Sequence, residues 1–131
     1  MTPRQRQGYA RYVRLIADHM GLTDWRLELH YDGTEPEIAA HVSCVTGRRI
    51  AHITLSGDFG TFAPEEQRHV VVHELLHIHL DPMGQYAHDT LPGLLGGPVF
   101  TAWITAYRTA NENATDAIAA ALSPLFPVPM P

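Results

Sequence analysis

The segment from His73 to His77, with the sequence HELLH, constrains the fold of this chain more than any other feature. Pro64 and the two glutamates after it are typical of the first turn of a helix. The Asp81-Pro82 step predicts its end, because a proline inside a helix removes a backbone hydrogen bond. Most residues between these signals are apolar, so we expect a helix that is buried on almost every side. Its apolar residues are Val70, Val71, Val72, Leu75, Leu76, Ile78 and Leu80.

The spacing of the two histidines predicts a metal site. Residues four apart lie on one face of a helix, so the imidazoles of His73 and His77 can reach the same ion. Glu74 lies beside that ion rather than on it, where it can act as a general base toward a water. The chain has nine histidines in 131 residues, but a chance match would seldom fall inside so apolar a helix. His69, one turn earlier, is interpreted as a flanking residue, and His79 points to another side.

A catalytic zinc site usually has three protein ligands, so a third is needed. A histidine six residues after the second one would supply it in some metallopeptidases, but that position is Met83. Downstream, Glu112 and Asp116 lie four residues apart on a predicted second helix. Glu112 could be the third ligand, and Asp116 could accept a hydrogen bond from the outer N–H of a ligating histidine.

Other interpretations of these carboxylates stay open. Glu112 and Asp116 could be ordinary solvated acids, since most exposed carboxylates have no other role. In that case Asp81, His88 or Asp89 would be the next candidates for the third ligand.

The HELLH motif, followed at residues 111–116 by NENATD, resembles the gluzincin zinc metallopeptidases. The chain is most similar to the minimal, single-domain gluzincins, although Glu112 lies 35 positions after His77, farther than in larger relatives. The resemblance implies Zn²⁺ bound by His73, His77 and Glu112, with Glu74 as the general base and Asp116 as the outer partner of a ligating histidine. It also implies a protein or peptide substrate that pairs with an edge strand, for which 37–45 is the candidate.

We therefore expect a zinc-dependent endopeptidase in which Glu74 activates a zinc-bound water for attack on the peptide bond. Tyr86 and His88, in a predicted loop, are candidates for stabilising the oxyanion, although both could simply be exposed loop residues. The alternative is a zinc- and peptide-binding regulatory or assembly module without turnover, which an intact Glu74 disfavours. A purely structural zinc site is disfavoured because such sites use four protein ligands, mostly cysteines.

The order of predicted elements indicates an α+β fold, specifically a minimal zincin-like domain over residues 1–122 with a three-stranded, mostly antiparallel sheet. On the last helix, we expect a buried apolar stripe that contains Trp103, Ile104 and Tyr107. A proline-rich tail spans 123–131. In chain order, we expect a helix at 3–19, strands at 25–31, 37–45 and 48–55, the HELLH helix, a long irregular loop at 84–98 and a helix at 99–122.

The tail carries a separate hypothesis. The segment 126–129 could lie in the cleft like a substrate that resists cleavage, because proline lacks the N–H needed for strand pairing. A disordered end is the simpler alternative.

Composition excludes several other function classes. The formal net charge is −5 and no run of basic residues is present, so we expect no nucleic-acid partner. The single cysteine, Cys44, cannot form an internal disulfide and is typical of a cytoplasmic protein. No apolar segment is long enough for a signal peptide or a membrane span, so we expect no membrane partner. We also expect a monomer.

Overall fold

Helices and strands are mixed along the chain, which confirms the α+β class. The structure is a computed structural model and describes residues 1–35 and 37–130. Within these residues, no helix combines the length and the apolarity needed to cross a bilayer. The elements are α1 (Pro3–His19), β1 (Arg26–Gly33), β2 (Ala40–Cys44), β3 (Ile50–Ser56), α2 (Pro64–Thr90) and α3 (Gly97–Leu122), with short 3₁₀ turns at Phe59–Thr61, Leu91–Gly93 and Ser123–Leu125.

The three strands form a mixed sheet in the order β1-β3-β2. β2 and β3 are antiparallel and form a hairpin, whereas β1 runs parallel to β3. The prediction of a mostly antiparallel sheet was therefore wrong. β3 takes the central position because it is the most buried strand, with Ala51, Ile53 and Leu55 at most 2% exposed. β2 lies at the edge, in the segment predicted to be an edge strand.

One face of the sheet is covered by helices and the other is more open. Leu27 and Leu29 of β1 pair in register with Ala51 and Ile53 of β3, and all four contribute to the core. Because side chains alternate along a strand, the residues between them lie on the opposite face. The core beneath the sheet is closed by α1 and α2, chiefly by Tyr9, Val13, Ile16, Ala17, Val71, Val72, Leu75 and Ile78.

α2 continues to Thr90 through Pro82 instead of ending at Asp81. The long irregular loop predicted at 84–98 was wrong, because the chain forms helix up to Thr90 and α3 begins at Gly97. An internal proline costs roughly 3 kcal/mol or more. Contacts made by the added helical turns offset that cost, and Ala87 is buried in them. The long α2 thereby lies against α3 over several turns.

The buried face of α3 also differs from the predicted apolar stripe. Ile104 is buried as predicted, but Trp103 is 37% exposed, and the other buried residues of the helix are Thr115 and Ala119, which were not part of the predicted stripe. The helix is therefore turned so that a face of mixed polarity meets α2. Glu112 lies one turn before Asp116 and beside the buried Thr115, so its side chain is on the side of α3 that meets α2.

Residues 126–129 of the proline-rich tail pack on α1 and the start of α2 and do not line the cleft, so the hypothesis that this segment occupies the cleft was wrong. The hydroxyl of Tyr12 donates a hydrogen bond to the carbonyl of Pro127 at 2.8 Å. Arg68 Nη1 donates to the carbonyl of Phe126 at 3.0 Å, and Pro129 is buried. The carbonyl groups of this segment thus find donors on the helices instead of strand partners.

We expect Tyr12→Phe to lower the free energy of unfolding by about 1 kcal/mol, because it removes the hydrogen bond that holds the tail. Urea denaturation at neutral pH measures this change. Tyr86→Phe is the matched control, since that side chain is 71% exposed. Equal effects of the two substitutions would show that the hydroxyl of Tyr12 does not fasten the tail.

Candidate metal centre

Two helices bring three side chains together at the floor of a cleft. His73 and His77 project from α2, and their Nε2 atoms are 3.1 Å apart. Glu112 approaches from α3, with Oε2 3.2 Å from Nε2 of His73 and Oε1 2.9 Å from Nε2 of His77. These residues therefore form a group that could hold a metal ion.

The spacing of the two imidazole nitrogens and of the Glu112 carboxylate, whose two oxygens each face a different histidine, fits a shared tetrahedral ion. With metal–ligand distances of about 2.0–2.1 Å, neighbouring ligands around zinc lie about 3.3 Å apart. The observed separations of 2.9–3.2 Å are close to this value. Two imidazoles and one carboxylate are also a donor set of catalytic zinc sites, which keep a further position open. The residues therefore fit zinc in both chemistry and geometry.

Asp116 lies one turn after Glu112 and beside the histidines. Its Oδ1 atom is 2.9 Å from Nε2 of His69 and 3.5 Å from Nδ1 of His73. A hydrogen bond from His69 is the main reason that the pKa of the Asp116 carboxyl is lowered. The carboxylate therefore lies near the outer nitrogen of His73, but its shorter contact is with His69, which had been interpreted as a flanking residue.

Glu74 is buried, in contrast to Glu112, and lines the same cleft. Burial raises the pKa of Glu74 to about 8, and the nearby negative charge of Glu112 contributes to the same shift. A carboxyl group with a pKa near neutrality can both accept and return a proton. Burial also lowers the pKa of His77, which favours the neutral imidazole that a metal ion requires.

The cleft has a volume of about 810 Å³ and is bounded by a strand and two helices. One wall is residues 37–42 with Cys44, which include most of β2. α2 forms the floor with His73, Glu74 and His77, and α3 forms the other wall. The edge strand and the three metal-ligand candidates therefore face the same space.

Among the remaining candidates, His88 lines the cleft and Tyr86 does not. Both belong to the last turns of α2 instead of a mobile loop, so that part of the prediction was wrong. Tyr86 is 71% exposed, whereas His88 Nε2 lies 3.4 Å from Nη2 of Arg108. Asp81 lines the cleft without joining the ligand group, and Asp89 is exposed outside it.

Among the cleft residues that inspection of the sequence did not identify are three polar ones on α3. Tyr107 had been assigned to the core, but it lines the cleft together with Arg108 and Asn111. All three recur at helical spacing on the same face of α3 as Glu112. That spacing is the signal that could have identified them.

No family model, no curated protein and no solved structure matches this chain.

We expect Glu112→Ala to weaken zinc binding more than about 100-fold, since even outer-shell substitutions cost 10- to 100-fold. Competition with a chromophoric chelator measures the affinity. Glu66→Ala, an exposed carboxylate in the first turn of α2, is the control and should change nothing. Unchanged affinity in the Glu112 variant would exclude it as a ligand, and Asp81 or His88 would be tested next.

The raised pKa of Glu74 predicts a pH-dependent stability difference in the metal-free protein. Between about pH 4.5 and 8 the folded state holds a proton on Glu74 that the unfolded state has lost, so the contribution of Glu74 to the free energy of unfolding falls as pH rises through this range. Relative to wild type, Glu74→Gln should therefore be more stable at pH 9, by on the order of a few kcal/mol, and lose that advantage toward pH 4.

Chemical denaturation in the presence of a chelator, repeated across this pH range, measures the difference. Glu66→Gln makes the same chemical change at an exposed position and is the matched control. A constant offset between Glu74→Gln and wild type at every pH would contradict the raised pKa.

Proposed function

We propose that this chain is a zinc-dependent endopeptidase of the gluzincin type. One observation carries the proposal: His73 and His77 from one helix and Glu112 from another converge within 3.2 Å, beside a buried Glu74. A surface cluster of histidines and acids would not need a buried carboxyl group next to it. Two ligating imidazoles, a ligating carboxylate and a separate proton acceptor together meet the requirements of metal-assisted hydrolysis.

The metal, when bound, would lower the pKa of a water and polarise the carbonyl group of the scissile peptide bond. Glu74 would accept the proton as the water oxygen attacks the carbonyl carbon. The C–N bond then breaks, and Glu74 returns the proton to the leaving nitrogen. Burial raises the pKa of Glu74 to about 8 in the metal-free protein, so a bound cation would have to favour the ionised carboxylate before the first transfer, whereas the apolar surroundings favour the protonated state between the two transfers.

The position of β2 supports a peptide as the substrate. β2 is an edge strand, and residues 37–42 of its segment border the cleft that contains Glu74 and Glu112. An extended peptide could pair with this edge through its backbone and place one peptide bond over the histidines. Such pairing supplies affinity with little dependence on side chains, and cleft residues such as Arg108 would add selectivity.

The oxyanion would be stabilised by the metal and by a donor from the cleft wall. His88 and Tyr107 are the polar ring side chains from the second half of α2 and from α3 that line the cleft. Tyr86 is withdrawn from this role, because it lies outside the cleft lining.

Digestion of a diverse peptide mixture by zinc-loaded protein, analysed by mass spectrometry, tests the proposal. We expect cuts by wild type and by Glu66→Gln, and at least about a 100-fold lower rate for Glu74→Gln, which loses the general base. Glu74→Gln should still bind zinc, because Glu74 is not among the ligand atoms.

Two results would contradict the proposal. Equal cleavage by wild type and Glu74→Gln would assign the cuts to a contaminant. Stoichiometric zinc with no cleavage of any peptide would favour a zinc- and peptide-binding module without turnover.

A further inference from the structure

A second cluster of histidine and carboxylate side chains lies on the open face of the sheet. It consists of Glu28 and His30 on β1 and His52 on β3, and none of the three lines the cleft. We propose that these residues form a second metal site, which binds a divalent transition-metal ion such as Zn²⁺ and joins β1 to β3.

The sheet register places the three side chains together. Glu28 and His30 are two residues apart and therefore lie on the same face of β1. In the parallel pairing of β1 with β3, Glu28 lies opposite His52, and His30 lies opposite Thr54. His52 is thus directly beside one ligand candidate and diagonal to the other. Backbone hydrogen bonds between the strands fix this arrangement in advance of any metal binding.

The ligand atoms have the spacing expected around a single ion. Nε2 of His30 is 3.1 Å from Nδ1 of His52, and that Nδ1 atom is 3.4 Å from Oε2 of Glu28. Both distances are close to the roughly 3.3 Å between neighbouring ligands of a tetrahedral zinc ion. The group formed by His73, His77 and Glu112 also consists of two imidazoles and one carboxylate, and in both clusters the ligand atoms lie within 4.8 Å of one another.

Arg26 orients the carboxylate without blocking it. Its Nη2 atom is 2.7 Å from Oε1 of Glu28, which leaves Oε2 directed at His52. Partners of this kind hold ligating carboxylates in place in metal sites. The guanidinium charge also opposes a cation, and the side chain of His52 is 37% exposed whereas that of His73 is 16% exposed. We therefore expect the sheet site to bind zinc more weakly than the cleft.

The third group of possible ligands in the described chain is not an independent site. His69 and Asp116 come together with His73, but His73 already belongs to the cleft group. The cluster on the sheet shares no residue with either of these groups. Two zinc ions per chain is therefore the expected capacity.

A metal at the sheet site would stabilise the fold. Glu28 and His52 are distant along the chain and adjacent only in the folded sheet, so the ion binds the folded state in preference to the unfolded one. Because these residues lie outside the cleft, this effect is separate from catalysis and does not rest on the proposed function.

Equilibrium dialysis against zinc, from submicromolar to submillimolar free concentration, with metal quantified by atomic absorption, tests the proposal. We expect two zinc ions per wild-type chain, one for His52→Ala, and one for the double variant His73→Ala/His77→Ala. His19→Ala removes an exposed histidine of α1 outside all three groups and should retain two. Glu28→Gln keeps the shape of the side chain and should weaken the second binding step at least tenfold.

One zinc ion per wild-type chain with none in the double variant would overturn the sheet site and leave the cleft site standing. Two ions bound by His52→Ala would also overturn it. One ion per wild-type chain that is lost in His52→Ala but kept in the double variant would instead establish the sheet site and contradict the proposed function. Circular dichroism of each variant confirms that the sheet is intact.

Discussion

The packing of α2 against α3 is the interaction on which the site depends. His73 and His77 are placed by one helix, and Glu112 reaches them only because the second helix lies close beside the first. The close approach is made by small or medium residues on α3, chiefly Thr115 and Ala119, which are fully buried. The hydroxyl of Thr115 donates to the carbonyl of Asn111 at 2.7 Å, so this buried polar side chain is itself satisfied.

Local signals predicted most element starts and the metal-ligand candidates. Proline and two carboxylates identified the start of α2, and the spacing within HELLH placed both histidines on one face. The spacing of Glu112 and Asp116 likewise predicted a common face on α3. Each of these inferences uses residues within a few turns of one another, where helical geometry alone determines which side chains are neighbours.

The errors arose where distant contacts outweigh local preferences. Pro82 locally favours a helix end, but α2 continues to Thr90, and Ala87 in the added turns is buried. Trp103 was predicted to lie on the buried face of α3, but its side chain is 37% exposed. The small side chains of Thr115 and Ala119 allow a closer contact with α2 than an indole would. β1 pairs with the third strand of the chain and not with the second, and alternation within each strand does not contain the information that selects its neighbour.

The charges of the cleft show why a metal would complete the structure. Glu74, Glu112 and Asp116 bring three carboxyl groups to one region, and the charge of Glu112 helps to raise the pKa of Glu74. Histidine contacts compensate in part, since His69 and His73 both lower the pKa of Asp116. Burial is the larger cause of the raised pKa, but a divalent cation between His73, His77 and Glu112 would offset the repulsion that Glu112 exerts on Glu74 and would itself attract the carboxylate. Both effects favour the ionised form of Glu74, which is the state a general base needs before it accepts a proton.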